Sequence, residues 1–111
     1  MKAQNGKYYG VTYEGGIYNV GVIYEYDYLT NIFQKKFDFS VTDGKNPDCA
    51  LIIGNNGKLY GATTQGGISY GTIFEYNVNS NIFKKIIDLN ASNGSDCRGK
   101  LFLASMVNTM E

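Results

Sequence analysis

Asn55 to Gly67 reads NNGKLYGATTQGG, and the course of the chain across it decides the fold. An Asn-Gly pair between apolar runs is the strongest short-range signal for a hairpin, because a two-residue type I′ turn needs positive φ at both central positions. Asn56 and Gly57 fill those positions here. CALII (Cys49 to Ile53) precedes them and KLYGATT (Lys58 to Thr64) follows, so two strands are predicted to pair across the turn until Gly66 and Gly67 end the second.

The same words stand earlier in the chain, as NGKYYGVTYEGG from Asn5 to Gly16. Further pairs keep the spacing: GVIYEYDY (Gly21 to Tyr28) with GTIFEYNV (Gly71 to Val78), and NIFQKKFDF (Asn31 to Phe39) with NIFKKIIDL (Asn81 to Leu89). TDG (Thr42 to Gly44) matches SNG (Ser92 to Gly94), and ALII (Ala50 to Ile53) matches KLFL (Lys100 to Leu103). A repeat sets the architecture before any local reading does. The chain is read as a single repeat domain over 1–111: repeat one 5–54, repeat two 55–104 and a tail 105–111.

Each repeat holds four short runs of strand character. Over one period they are an inner run (Ala50 to Ile53), a second (Lys58 to Thr64), a third (Gly71 to Val78) and an outer run (Ile82 to Leu89). Alternation puts Phe83, Lys85, Ile87 and Leu89 on one face of the outer strand, as it does Phe33, Lys35, Phe37 and Phe39 in the first copy. A period of two with no helical stripe predicts an all-β fold. Lys35, Lys36, Lys84 and Lys85 suit an exposed sheet edge, where charge discourages further pairing. Gly10 and Gly61 are expected where two sheets approach closely. Glu25 and Glu75 invite an acid-base reading, but repeated acids between aromatics fit a structural salt link or a solvent-facing position better.

Composition narrows the function classes. Ten basic against ten acidic residues argue against a nucleic-acid or polybasic membrane footprint. No apolar run approaches the roughly 18 residues of a membrane helix. The start, MKAQNGKYYG, has no apolar core behind its lysine, so no secretory signal is expected and the chain as it stands reads as cytoplasmic. There is no His, which removes the usual base or ligand of serine-nucleophile and zinc chemistry. The chain is therefore expected not to be an enzyme, and no cofactor or metal is assigned to it. Cys49 and Cys97, at matching places in the two copies, are expected as small buried thiols in the reduced state.

Four antiparallel strands per repeat is the layout of a β-propeller blade of kelch length. The run DGKNPDCALIIGNNGKLYGATTQGG (Asp43 to Gly67), followed by GTIFEYN (Gly71 to Asn77), resembles the GloVer-type tandem repeat. Those proteins carry an Asp-Gly-x-x-Pro segment, a short apolar strand, an Asn-Gly turn, a Leu-Tyr-Gly-Thr-Thr strand, a Gly-Gly loop and a Gly-Thr-Val-Phe strand. The resemblance runs through both copies. It departs at SNGSDCRGK (Ser92 to Lys100), which lacks the proline, and after Leu103, where ASMVNTME stands in place of the next Asn-Gly turn. It implies a propeller-like repeat of larger, often secreted bacterial proteins and brings no catalytic motif.

The expected fold is thus all-β: two four-stranded antiparallel blades of propeller type, forming a partial propeller or part of an oligomeric ring. Closed propellers use at least four blades, and at about 25 cal/mol per Å² of apolar burial a lone pair with one shared face is under-stabilised. Two remedies are open. Identical chains join into a ring, with Leu101 to Ala104 supplying the inner strand to Lys7 to Tyr13 of the next chain, three chains giving six blades in an arrangement resembling the two-blade subunits of some fucose-binding lectins. Alternatively the chain is a fragment of a longer array, which its decaying tail favours. The turn at Asn5 and Gly6, with no strand before it, fits either.

A ligand, if there is one, is expected on the loops from outer to inner strand and from second to third strand: Thr42 to Asp48, Asn90 to Asp96, Gly15 to Asn19 and Gly66 to Tyr70. Tyr18, Asp43, Asn46, Asp48 and Tyr70 are the candidates, since aromatics beside carboxylates and amides suit a glycan. Asp43, Asn46 and Asp48 also resemble a calcium loop but lack its full ligand set, and Asp-Gly and Asn-Pro make turns readily. The function expected is a non-catalytic module for structural or protein-interaction roles, with itself or further repeats as partner. The alternative is a lectin-like oligomer that binds glycan through those loops.

Overall fold

The computed structural model describes residues 2–47, 51–54, 56–67 and 71–88. Eight strands follow one another, with no helix among the described residues: β1 (Tyr8–Val11), β2 (Val22–Asp27), β3 (Ile32–Asp38), β4 (Lys45–Pro47), β5 (Ile52–Ile53), β6 (Leu59–Gln65), β7 (Thr72–Asn77) and β8 (Ile82–Asp88). The chain is all-β, as its period of two implies. All strand pairs are antiparallel, in a three-stranded sheet β1-β2-β3 and a five-stranded sheet β4-β6-β7-β8 with β5 also on β6.

Four strands in each sheet was the expectation, and the difference lies on the inner edges. On the inner edge of the first sheet, among the described residues, only Lys2 pairs with β1, in a single bridge to Tyr8. A bridge therefore does precede the Asn5-Gly6 turn. In the second sheet the inner strand comes in two pieces, with Ile52 and Ile53 opposite Tyr60 and Leu59, and Lys45 and Pro47 opposite Gln65 and Thr63. Thr42 to Asp48 is thus not wholly a loop, because β4 lies inside it. Pro47 has no N–H to give, which suits the outermost position of the sheet. The Leu101 to Ala104 strand, Asn90 to Asp96, Cys49 and Cys97 lie outside the described residues.

The hairpin at the Asn-Gly pair forms, but not as a type I′ turn. Among the described residues the left-handed non-glycine positions are Asn19, Asn31, Asn46 and Asn81; Asn5 and Asn56 are not among them, whereas Gly6 and Gly57 have φ of 85° and 82°. Gly6 N–H donates to Ala3 C=O at 3.0 Å and Ala3 N–H to Lys7 C=O at 2.8 Å, closing a three-residue loop whose glycine takes the left-handed position. Gly54, Gly57 and Lys58 repeat these bonds at 2.9 and 3.0 Å. The asparagine side chain closes the loop instead: Asn5 Oδ1 accepts from Lys7 N–H and Asn56 Oδ1 from Lys58 N–H, each at 3.0 Å.

Strict alternation fails in both outer strands. Tyr24 faces Lys35 and Ile23 faces Phe37, so Lys36 is an extra residue; Ile86 is extra in the same place between Lys85 and Ile87. A β-bulge of this kind turns the rest of the strand over. Phe33 and Phe37 therefore lie on opposite faces of the first sheet, and Phe83 and Ile87 on opposite faces of the second. Gly10 and Gly61 do not mark an approach between sheets either. A β-carbon at Gly61 would stand 2.5 Å from Phe74 Cζ, and one at Gly10 would collide with the Tyr24 ring. Each glycine lies directly opposite that aromatic residue and leaves room for its ring to lie flat across the strand.

The sheets stack through unlike faces. The first offers Tyr9, Val11, Ile23 and Phe37, with Phe39 just beyond, and the second answers with Leu59, Phe74, Tyr76, Val78 and Phe83, forming one core cluster. Phe37 stacks on Phe83 with ring centroids 4.0 Å apart, and Phe39 meets Phe74 edge-on at 5.2 Å. At roughly 1.5–3 kcal/mol for each large side chain removed from water, this seam is the chief apolar contribution to stability. On the far side of the second sheet Tyr60, Ala62 and Ile73 are also fully buried, in a smaller cluster with Ile52 and Ile87 against it.

Candidate functional site

Of the expected loop residues, Asp48 and Tyr70 lie outside the described residues, and Tyr18, Asp43 and Asn46 each have their own setting. Tyr18 is 60% exposed on the Gly15 to Asn19 loop. Asp43 is held locally: its carboxylate accepts from Ser40 Oγ at 2.8 Å, and its carbonyl from Thr72 Oγ1 at 2.8 Å. Asn46, in β4 of the second sheet, adopts φ 55° and stitches the two sheets together. Its N–H donates to Val20 C=O at 2.7 Å and its Nδ2 to Tyr13 C=O at 2.9 Å, while its own carbonyl accepts from Thr64 Oγ1 at 3.0 Å. A residue so committed has a structural task. Among the described residues no three His, Cys, Asp or Glu are grouped to hold a metal ion.

Glu25 and Glu75 each sit in a repeated polar quartet. Asn5 Nδ2 donates to Tyr9 Oη at 2.9 Å, Tyr9 Oη donates to Glu25 Oε2 at 2.6 Å, and Lys7 Nζ lies 3.6 Å from Glu25 Oε1. Asn56, Tyr60, Glu75 and Lys58 repeat the set at 2.8, 2.8 and 3.4 Å. Burial, with the neighbouring carboxylate adding to it, pushes the Tyr9 and Tyr60 phenols up from their ordinary range. These hydroxyls stay protonated and donate, so the glutamates are anchored, in line with the salt-link reading. A second repeated acid, Asp38, caps the Gly-Gly loop by accepting from Ile17 N–H at 2.9 Å. That bond, with Lys35 at 3.1 Å helping, holds its carboxyl below the usual carboxylate range.

An open apolar face lies elsewhere, on a sheet and not on the loops. Tyr8, Tyr24, Tyr26 and Phe33 share one face of the first sheet by strand register, and with Tyr9 and Tyr28 they line an open groove of about 400 Å³. Phe33 is 67% exposed and lies between Tyr26 at 4.4 Å and Tyr24 at 5.8 Å; Tyr8 meets Tyr28 edge-on at 5.9 Å. The signal was present in the alignment of the copies. Tyr8, Tyr24, Tyr26, Tyr28 and Phe33 match Leu59, Phe74, Tyr76, Val78 and Phe83, the residues by which the second sheet packs on the first.

Against known proteins, the family profile described as the Gloeobacter/Verrucomicrobia repeat matches residues 1–108. No curated protein and no solved structure matches the chain. With two copies of one motif folding into like sheets, and with that profile covering almost its full length, the chain belongs to the Gloeobacter/Verrucomicrobia repeat family.

Proposed function

We propose that the chain is a non-catalytic repeat module of propeller type, which works by stacking sheets and presenting their faces to other repeats or proteins, as part of a larger propeller. The observation that carries this reading is the seam between the sheets. One face of repeat one covers one face of repeat two, and the equivalent face of repeat one is left open with the same pattern of aromatics. The acids that catalysis would need are engaged with tyrosine and lysine, which supports a structural role for them. Stability in a stacked array is close to a sum of repeat and neighbour terms. Chains lengthened by one repeat are therefore expected to unfold at higher urea, and a lengthened chain no more stable than the original would remove the reading.

A lectin-like role is the second reading, favoured by the tyrosine-rich groove, since rings of this kind stack on saccharides. A glycan array probed with the full chain separates the two. The module reading expects it blank, and retention competed by free sugar would install the lectin.

A further inference from the structure

The open groove has a counterpart in the same molecule, and the counterpart says what fits it. At the seam, Leu59, Phe74, Tyr76, Val78 and Phe83 receive Tyr9, Val11, Ile23 and Phe37. Tyr9 and Tyr76 rings lie 6.3 Å apart and Phe37 stacks on Phe83. On the first sheet the positions of the receiving set are kept, but Tyr8, Tyr28 and Phe33 are exposed at 39%, 50% and 67%. Contiguous apolar patches of this kind mark interaction sites on soluble proteins.

Resting on the repeat-module reading, we propose that the face of Tyr8, Tyr24, Tyr26, Tyr28 and Phe33 is the docking surface for a further sheet of the same repeat. The incoming sheet presents a tyrosine, two aliphatic residues and an aromatic at the places of Tyr9, Val11, Ile23 and Phe37. Among its described residues a second copy of this chain has no such face free. Its Tyr9 and Ile23 are spent on its own second sheet, and the matching Tyr60, Ala62 and Ile73 are fully buried. The occupant is therefore a repeat additional to these two. Its inner strand would run beside β1 where Lys2 now makes one bridge, as β5 runs beside β6.

The chain contains no Trp, so Phe33→Trp places one fluorophore on the surface in question. In the full chain its emission is expected to be red and readily quenched by acrylamide. In a chain lengthened at its front by another copy of residues 2–52, which preserves the spacing of the repeats, the emission is expected to move to the blue and quenching to fall several-fold. Phe83→Trp, at the equivalent covered position, gives the reference for a seated ring, and Phe37→Asp in the added copy is expected to restore the exposed signal.

Unchanged emission in a lengthened chain that is more stable in urea overturns the docking surface and leaves the module reading standing. A lengthened chain that gains no stability, or does not fold, overturns both. Two other results give the face a different occupant and overturn the proposal: emission in the unlengthened chain that turns blue with protein concentration, which means a second copy, or blue on adding a saccharide.

Discussion

The two sheets carry the same face twice and use it differently. On the second sheet Phe74 and Tyr76 are fully buried and Phe83 is stacked, whereas on the first the matching Tyr24 and Tyr26 are half-buried and Phe33 stands in solvent. Sequence alone scarcely separates these positions, since all are aromatic. Their environment is set by what lies against them, so in a repeat protein burial belongs to the neighbour as much as to the residue. The substitutions between copies follow the same division: the covered face has Leu59, Phe74 and Val78 where the open face has Tyr8, Tyr24 and Tyr28. Three hydroxyls remain where water is present to bond them and are gone where it is not, in keeping with the cost of burying a polar group without a partner.

The sharpest way to break the comparison is to truncate the same position in both sheets. Phe74→Ala leaves a cavity under Phe39 and Phe83 and is expected to cost about 3–5 kcal/mol. Tyr24→Ala removes a half-buried ring over Gly10 and is expected to cost about 1 kcal/mol. Urea unfolding of both variants checks this, and equal losses would mean that the two faces are covered alike.

Asn46 holds the sheets in that arrangement and separates two contributions. Asn46→Gly keeps the left-handed backbone but loses the bond to Tyr13 C=O, an expected loss of about 1 kcal/mol. Asn46→Ala loses the same bond and, unlike glycine, keeps a β-carbon at φ 55°, so it is expected to be about 1–2 kcal/mol less stable than Asn46→Gly. If Ala and Gly prove equal in thermal or urea melts, the conformation of this residue is not what ties the sheets together.

Much of this was legible in the sequence. The repeat, the all-β class, the hairpin at Asn56 and Gly57 and the lysines on the β3 and β8 edges follow from spacing and propensity. The bulges at Lys36 and Ile86 were not, because an extra residue leaves no mark in a strand whose residues suit either face; only the partner strand's register shows it. The role of Asn46 was hidden for a related reason. Asn-Pro after Asp-Gly reads as a turn, and nothing local shows that the first sheet's loop at Tyr13 and Val20 passes close enough to bond it. The open groove lies on a sheet face and not on the loops, where propellers place ligands, and its trace in the sequence is the match of its five residues to an apolar set in the other copy.

Alkaline titration sharpens the comparison through the covered face. Burial first, and then the charge of Glu25 on the other sheet, push the Tyr76 phenol up to about 12 from 10.0. A phenol raised on folding adds stability that is complete below pH 10 and is lost as pH rises through about 12. Tyr76→Phe is expected to remove that part of the alkaline loss and the corresponding late step in tyrosinate absorbance. Glu25→Gln is expected to lower the step while leaving the ring buried; a step that does not move would mean that Glu25 does not act across the seam.

The smallest contrast lies at the outer edges. Lys35 reaches Asp38 at 3.1 Å on the first sheet, and Lys85 reaches Asp88 at 3.2 Å on the second, but Lys85 also donates to Thr42 C=O at 3.2 Å. Exposed ion pairs are worth about 0.2–1 kcal/mol, so Lys35→Ala should fall at the low end of that range and Lys85→Ala slightly above it. Raised salt should narrow the gap only in part, because screening weakens both ion pairs while the Thr42 bond ends on a neutral carbonyl and ties β8 to the segment leading into β4. If the two variants melt together at every ionic strength, that bond contributes nothing and the extra tether of the second repeat rests on Asn46 and Thr72.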